Sequence, residues 1–63
     1  MSNLTGFAAA CYDTNSIRQL EKALKQQHAD PVDCAAWDIT PTQWRAEISE
    51  ALAAKLADAD AAE

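Results

Sequence analysis

One short stretch, Ile39-Thr40-Pro41-Thr42-Gln43-Trp44, decides how this chain folds, because it marks the start of a helix in three ways. Thr40 supplies a hydroxyl at the N-cap, Pro41 suits the first helical position, and Gln43 stands at the third position of a capping box. The flanking apolar residues, Ile39 and Trp44, have the spacing of a hydrophobic staple. We therefore expect a helix that begins directly after Thr40.

The residues downstream predict how far this helix runs. Apolar side chains recur at intervals of four and form one stripe, Trp44, Ile48, Leu52 and Leu56. Lys55 interrupts the stripe, and residues 57–63 carry acids near the helix C-terminus, where the helix dipole disfavours them. We expect the helix to end near Leu56 or Ala57 and the acidic C-terminus to fray.

Two more helices are predicted in the first half of the chain. Residues 4–12 have apolar side chains at helical spacing, Ser2 or Asn3 can cap them, and Gly6 weakens the helix interior. The second helix is expected to start at residue 15 or 16 and to end near residue 28. Its apolar face is formed by Ile17, Leu20 and Leu24.

A short helix is predicted between the two longer ones. Asp30 can cap it, Pro31 suits its first position, and Trp37 is its last residue. The alternating apolar and polar pattern of a β-strand occurs nowhere in the sequence. We predict an all-α fold, a compact bundle of three or four short helices in a single domain, residues 1–63, with an ordered core at about residues 4–57.

The composition limits the core that such a bundle can bury. Of the 63 residues, 49% are hydrophobic, but 15 are alanine, and leucine, isoleucine, valine and phenylalanine together number only 10. A chain of this length is marginally stable by itself. It is too small for a second domain or for a deep, enclosed active site.

Charge is distributed unevenly along the chain, whose net charge is −5. Residues 1–29 hold three basic and two acidic side chains, a net of +1, whereas residues 30–63 hold two basic and eight acidic ones, a net of −6. An acidic surface repels phosphate backbones and suits a basic protein partner. A nucleic acid is therefore not the partner that we favour.

Residues 34–48 resemble a helix-turn-helix, in which a short helix, a tight turn and a capped second helix recur at fixed offsets. The match consists of a small residue in the first helix, apolar residues on both sides of the turn, a turn residue that is usually glycine, and two buried positions in the second helix. In chain order these positions are Cys34, Trp37, Asp38, Ile39, Trp44 and Ile48. The helix that ends near His28 would support them.

This resemblance implies DNA binding through the side chains of Thr42, Gln43 and Arg45. Glu47 and Glu50 follow on the same helix, and DNA binding depends on neutralising phosphates with basic residues. DNA binding is therefore the alternative to the favoured function.

Three groups of residues are candidates for binding another protein. Aromatic residues supply the first group, because they are enriched among interface hot spots: Trp37, Trp44 and Tyr12. The two tryptophans either pack together across the turn, or one of them stays partly exposed as an anchor. The acids of the second half form either a solvated surface or one that blocks a nucleic-acid site on another protein: Asp30, Asp33, Asp38, Glu47 and Glu50. A basic stripe is either a solvated helix face or a docking site for an acidic surface: Arg18, Lys22 and Lys25.

Catalysis, a metal and a cofactor are not expected. His28 is the only histidine and has no predicted nucleophile or carboxylate beside it. Cys11 and Cys34 are 23 residues apart and lack the spacing of a zinc site, so we interpret both as packing residues. We find no signal peptide and no membrane span, and expect a cytoplasmic protein.

The function favoured by these patterns is a small, acidic, non-enzymatic protein-binding module or inhibitor. By analogy with the acidic helical regulators of bacteria and phages, it would act on a host protein. The alternatives are a helix-turn-helix DNA-binding regulator and a self-assembling structural subunit. The expected partner is a protein, a second copy of the chain, or both, with no membrane and no small molecule.

Overall fold

The computed structural model describes residue 4 and residues 6–61 of the chain. Within these residues the chain forms four helices and no strand, so that the predicted all-α fold is confirmed. The helices are α1 (Gly6–Thr14), α2 (Ile17–Leu24), α3 (Pro31–Trp37) and α4 (Pro41–Ala61). The caps predicted for the first helix, Ser2 and Asn3, lie outside the described residues.

The bundle is organised around α4, since α1, α2 and α3 each pack against it. One buried cluster joins the helices and consists of Phe7, Cys11, Leu20, Trp44, Ile48 and Ala51. The predicted stripe of α4 leaves this core toward its end, because Leu52 is half-buried and Leu56 is 47% exposed. None of the described helices has the length and apolar character needed to cross a membrane.

The predicted start of α4 is confirmed. The hydroxyl of Thr40 accepts a hydrogen bond from the Gln43 N–H at 3.1 Å, and Ile39 packs against the core. The predicted end is wrong, because α4 continues to Ala61. Two factors offset the unfavourable acids: alanine has the highest helix propensity, and the carboxylate of Asp58 accepts a hydrogen bond from the Tyr12 hydroxyl.

α1 begins and ends two residues later than predicted, with the expected face buried at Phe7, Ala8 and Cys11. Gly6 has a φ of 58°, a left-handed conformation that glycine adopts without the steric cost of a side chain. The expectation that Gly6 weakens the helix interior is therefore wrong, because Gly6 lies at the entry to α1.

α2 starts with a complete capping box that the sequence analysis did not single out. The Ser16 hydroxyl accepts from the Gln19 N–H at 3.2 Å, while the Gln19 side chain accepts from the Ser16 N–H at 2.7 Å. α2 ends at Leu24, four residues before its predicted end. The cause is Arg45, whose guanidinium donates to the carbonyls of Leu24, at 3.2 Å, and of Gln26, and so holds the chain in a turn.

α3 has the predicted bounds and the predicted cap. Asp30 Oδ1 accepts a hydrogen bond from the Val32 N–H at 2.9 Å. Asp38 ends the helix in a left-handed conformation, with φ 52° and ψ 50°. It therefore takes the backbone conformation that the helix-turn-helix comparison assigns to a glycine.

Candidate functional site

α3 turns a polar side chain toward the bundle. Asp33 is half-buried, and its Oδ2 accepts a hydrogen bond from the indole N–H of Trp44 at 3.2 Å. Trp44 is 1% exposed, so this bond satisfies the one polar atom of a core side chain. No residue of α3 is itself fully buried, and beside Asp33 only Cys34 is half-buried. The apolar contacts of α3 with the core therefore come from Cys34 and from the ring of Trp37, neither of them fully buried.

The opposite side of α3 is apolar and faces solvent. It is formed by Pro31, Val32, Ala35 and Ala36, all exposed. Val32 is 72% exposed, in a chain that has only ten leucine, isoleucine, valine and phenylalanine residues. We call these four residues the outer face of α3. Scattered exposed apolar residues are ordinary, but a contiguous apolar face is typical of an interaction site.

Trp37 lies at the end of α3 and is 44% exposed. Its aromatic partner is Phe7, with ring centroids 5.7 Å apart and ring planes tilted by 57°. Phe7 belongs to the core, so the Trp37 ring is held against a fixed surface while part of it meets solvent. The structure thus separates the two tryptophans: Trp44 is a core residue and Trp37 is the partly exposed one.

Carboxylates stand at both ends of α3. Asp30 precedes it as the N-cap, and Asp38 follows it as an exposed residue. The N–H groups of Asp38 and Ile39 both donate to the Cys34 carbonyl, which closes the last turn. The two carboxylates are therefore held at either end of α3, separated by about 10 Å of helix.

The five candidate acids do not form one surface. Asp33 is bonded to Trp44, and Glu47 is half-buried on α4, where its Oε1 accepts from the Ala8 N–H at 3.4 Å. Its other oxygen, Oε2, is buried without a hydrogen-bond partner in the described part of the chain. Only Asp38 and Glu50 of the five are classed as exposed. The acidic blocking surface stays a prediction, although Asp33 and Glu47 are engaged within the bundle.

Glu47 also influences the thiol beneath it. Burial, together with smaller contributions from the carboxylates of Asp33 and Glu47, raises the pKa of Cys11 from 9.0 to about 11. The Cys11 thiol therefore stays protonated at neutral pH, and a protonated thiol is a poor nucleophile. Both cysteines are free.

Tyr12 is engaged within the bundle. Its hydroxyl donates to Asp58, and the ammonium of Lys55 lies 4.8 Å from the centre of its ring. The hydrogen bond to Asp58 raises the pKa of Tyr12 above its ordinary value of 10.0. These contacts connect α1 to the last turns of α4. The Tyr12 side chain is therefore engaged between two helices of the bundle and is not free to contact a partner.

The residues proposed for reading DNA are divided by the fold. Thr42 and Gln43 are exposed on the first turn of α4, but Arg45 is half-buried and its guanidinium donates to carbonyls at the end of α2 and just after it. Beside it lies an open cleft of about 230 Å³ lined by Gln27, His28, Ala29, Pro41, Thr42 and Arg45. The guanidinium of Arg45 is therefore engaged at the end of α2 and is not free to contact the bases of DNA.

The basic stripe of α2 is fully solvated, because Arg18, Lys22 and Lys25 are all exposed. The outward side of α2 carries only polar and charged residues, while Leu20 is buried on the other side. In the described part of the chain, His, Cys, Asp and Glu side chains form no group of three or more that could hold a metal ion.

No protein-family model matches the chain, and no curated protein and no solved structure matches it either. The helix-turn-helix resemblance accordingly depends on the residues alone. It agrees with the conformation of Asp38 and with the burial of Trp44 and Ile48, whereas Trp37 before the turn is partly exposed.

Proposed function

We propose that this chain is a non-enzymatic protein-binding module that docks on its partner through the outer face of α3. The observation that carries the proposal is the orientation of this helix. α3 turns Asp33 toward the core and leaves Pro31, Val32, Ala35 and Ala36 in water. Burying apolar surface is worth about 25 cal/mol per Å², so that a partner covering this face would gain free energy that folding does not use.

Trp37 follows Ala36 at the C-terminal end of α3 and adds a partly exposed aromatic surface there. A tryptophan held on one side and open on the other loses little conformational entropy when a partner packs on it, and tryptophan is enriched among hot spots. Binding of such a module would block whatever the partner does with the covered surface, which is the action of an inhibitor.

DNA binding has weaker support. The arginine on which it depends, Arg45, is engaged with backbone carbonyls, and the second half of the chain has a net charge of −6, two basic against eight acidic residues. Self-assembly has no specific observation in its favour.

The experiment compares affinity capture by two matched double variants in a lysate of the source organism. Val32→Gln with Ala36→Gln makes the outer face polar, and Ala53→Gln with Ala57→Gln makes the same change at exposed positions of α4 with the same spacing. Circular dichroism first checks that both variants keep the helix content of the wild type.

The expected result is a protein captured in stoichiometric amount by the wild type and by the α4 variant, and lost with the α3 variant. Each capture is repeated after nuclease digestion. If the α3 variant captures the same protein as well as the wild type does, the outer face of α3 is not the docking face. Capture that disappears with nuclease favours the DNA-binding alternative.

A further inference from the structure

The outer face of α3 is apolar along its length and acidic at its ends. Asp30 and Asp38 stand at its two ends, and Asp38 is exposed in a left-handed backbone conformation. Asp30 uses Oδ1 to cap the helix, and its second oxygen is not needed for that bond. A partner that covers the apolar residues must therefore bring its own edges close to two carboxylates.

The basic residues of the same half of the chain are engaged elsewhere. Residues 30–63 contain only two, Arg45 and Lys55. The guanidinium of Arg45 donates to the carbonyls of Leu24 and Gln26, and the ammonium of Lys55 lies over the ring of Tyr12. Neither of these two basic residues neutralises Asp30 or Asp38, so that a partner can supply the basic groups that pair with them.

A second copy of the chain does not supply them. In a two-fold pairing of α3 with α3, an antiparallel arrangement sets Asp30 of one copy against Asp38 of the other, and a parallel arrangement sets each aspartate against its own counterpart, so that both arrangements are repulsive. The basic stripe of α2 has the right charge, but its outward side is polar throughout. Neither the α3 face nor the basic stripe of a second copy therefore combines an apolar surface with basic residues.

Phosphate-rich surfaces fit no better. Nucleic acids and anionic membranes both present negative charge, which the two carboxylates repel. The remaining class that matches is a protein segment whose apolar side is bordered by basic residues. Long basic side chains suit this arrangement, because their aliphatic stems can lie on apolar surface while the charge reaches a carboxylate.

We infer that the partner of the α3 face is a cationic amphipathic segment, in which apolar side chains cover Val32 and its neighbours while lysine or arginine residues pair with Asp30 and Asp38. This inference rests on the proposed docking face and adds the chemistry of the partner. It makes the two terminal carboxylates determinants of specificity, while the apolar residues and Trp37 provide the buried contact.

The test uses a labelled model peptide, an amphipathic helix of leucine and lysine about five turns long, and its counterpart with glutamate for lysine. Binding to the full chain is followed by fluorescence anisotropy, and amide chemical shifts locate it. The decisive variant is Asp30→Asn with Asp38→Asn. Asparagine caps helices as well as aspartate does and also tolerates the left-handed conformation, so that the fold is preserved while both charges are removed.

The control variant is Glu50→Gln with Asp60→Asn, two exposed acids of α4. Both variants lose two of the negative charges that give the chain its net −5 and so have the same net charge of −3. We expect the lysine peptide to shift the amides of residues 30–38 and to bind the Asp30/Asp38 variant roughly 3- to 10-fold more weakly than the control, as two ion pairs at the protein surface imply. The glutamate peptide is expected not to bind.

Other outcomes overturn the inference in distinguishable ways. Equal weakening by the two acid variants means that net charge alone attracts the peptide. Shifts outside residues 30–38, equal binding of the glutamate peptide, or no binding of the lysine peptide at millimolar concentration also contradict it. If Val32→Gln with Ala36→Gln weakens binding but the Asp30/Asp38 change does not, the docking face stands and the cationic partner fails. If the Val32/Ala36 change has no effect, the docking face itself fails.

Discussion

α2 and α3 are both short helices that pack on α4, yet they turn opposite chemistry toward solvent. α2 buries Leu20 and leaves a polar, mostly charged surface outside. α3 turns Asp33 inward and leaves an apolar surface outside. α2 is therefore held by apolar burial, whereas α3 is held by its two caps, by the bond to Trp44 and by the ring of Trp37. The side chains of the outer face of α3 are therefore mostly in water and make little contact with the rest of the bundle.

The largest expected effect is at Trp44, which joins α3 to α4. Replacing it with alanine removes the largest fully buried side chain and the donor to Asp33, at a cost of about 3–5 kcal/mol, comparable to the whole stability of a domain of this size. We expect loss of the helical circular dichroism signal. Trp37→Ala should retain that signal and cost about 1–2 kcal/mol in urea unfolding, through the lost ring pair and partial burial. Equal costs would contradict the division between a core and a surface tryptophan.

The next comparison tests the two helices directly. Leu20→Ala on the inner side of α2 should cost about 2–5 kcal/mol because it opens a cavity in the core. Val32→Ala on the outer face of α3 should change the free energy of unfolding by less than about 0.5 kcal/mol, because this side chain is mostly in water. Urea unfolding measures both. A loss of stability at Val32 similar to that at Leu20 would mean that the outer face is part of the fold.

Helix starts could be predicted from the sequence because capping is a local interaction. The caps at Asp30 and Thr40 were both found, and the stretch Ser16-Ile17-Arg18-Gln19 carries the same capping-box signal that would have located the start of α2. Helix ends were less predictable, because they depend on partners distant in sequence. Arg45 ends α2 from 21 residues away, and Tyr12 supports the end of α4 from 46 residues away.

The orientation of α3 could not be predicted for a different reason. Five of its six residues after Pro31 are apolar, and only Asp33 is polar, so periodicity does not distinguish an inner from an outer side. The inner side is held by contacts with distant residues: a hydrogen bond from Trp44 to Asp33, and the packing of Trp37 on Phe7. Trp37 and the flanking acids could therefore be recognised from the sequence as candidates, whereas Val32, Ala35 and Ala36, the surface on which the proposed function depends, could not.

A smaller effect is expected at Arg45 of α4, whose guanidinium donates hydrogen bonds to carbonyls at the end of α2. Arg45→Ala removes two charge-assisted hydrogen bonds and should cost about 1.5–3 kcal/mol in urea unfolding. The amide shifts of residues 24–27 should change most. Arg45→Lys should recover less than half of this loss, because an ammonium group lacks the planar fork that reaches two carbonyls. Full recovery by lysine would mean that charge alone, without the two directed bonds, ends α2.

The smallest effect is expected at the end of α3. This end depends on a local backbone conformation, whereas the end of α2 depends on the distant side chain of Arg45. Asp38 has a φ of 52°, which is a left-handed conformation. This conformation costs most residues about 1–2 kcal/mol, whereas glycine adopts it freely and asparagine and aspartate tolerate it. Asp38→Ala should therefore lower the free energy of unfolding by about 1 kcal/mol, while Asp38→Gly and Asp38→Asn should leave it nearly unchanged. Because Asp38→Ala and Asp38→Asn remove the same charge, a difference between them isolates the backbone term. If the two variants unfold at the same urea concentration, the left-handed turn does not determine where α3 ends. Another contact would then have to hold α3 with Asp33 toward the core and Val32 toward solvent.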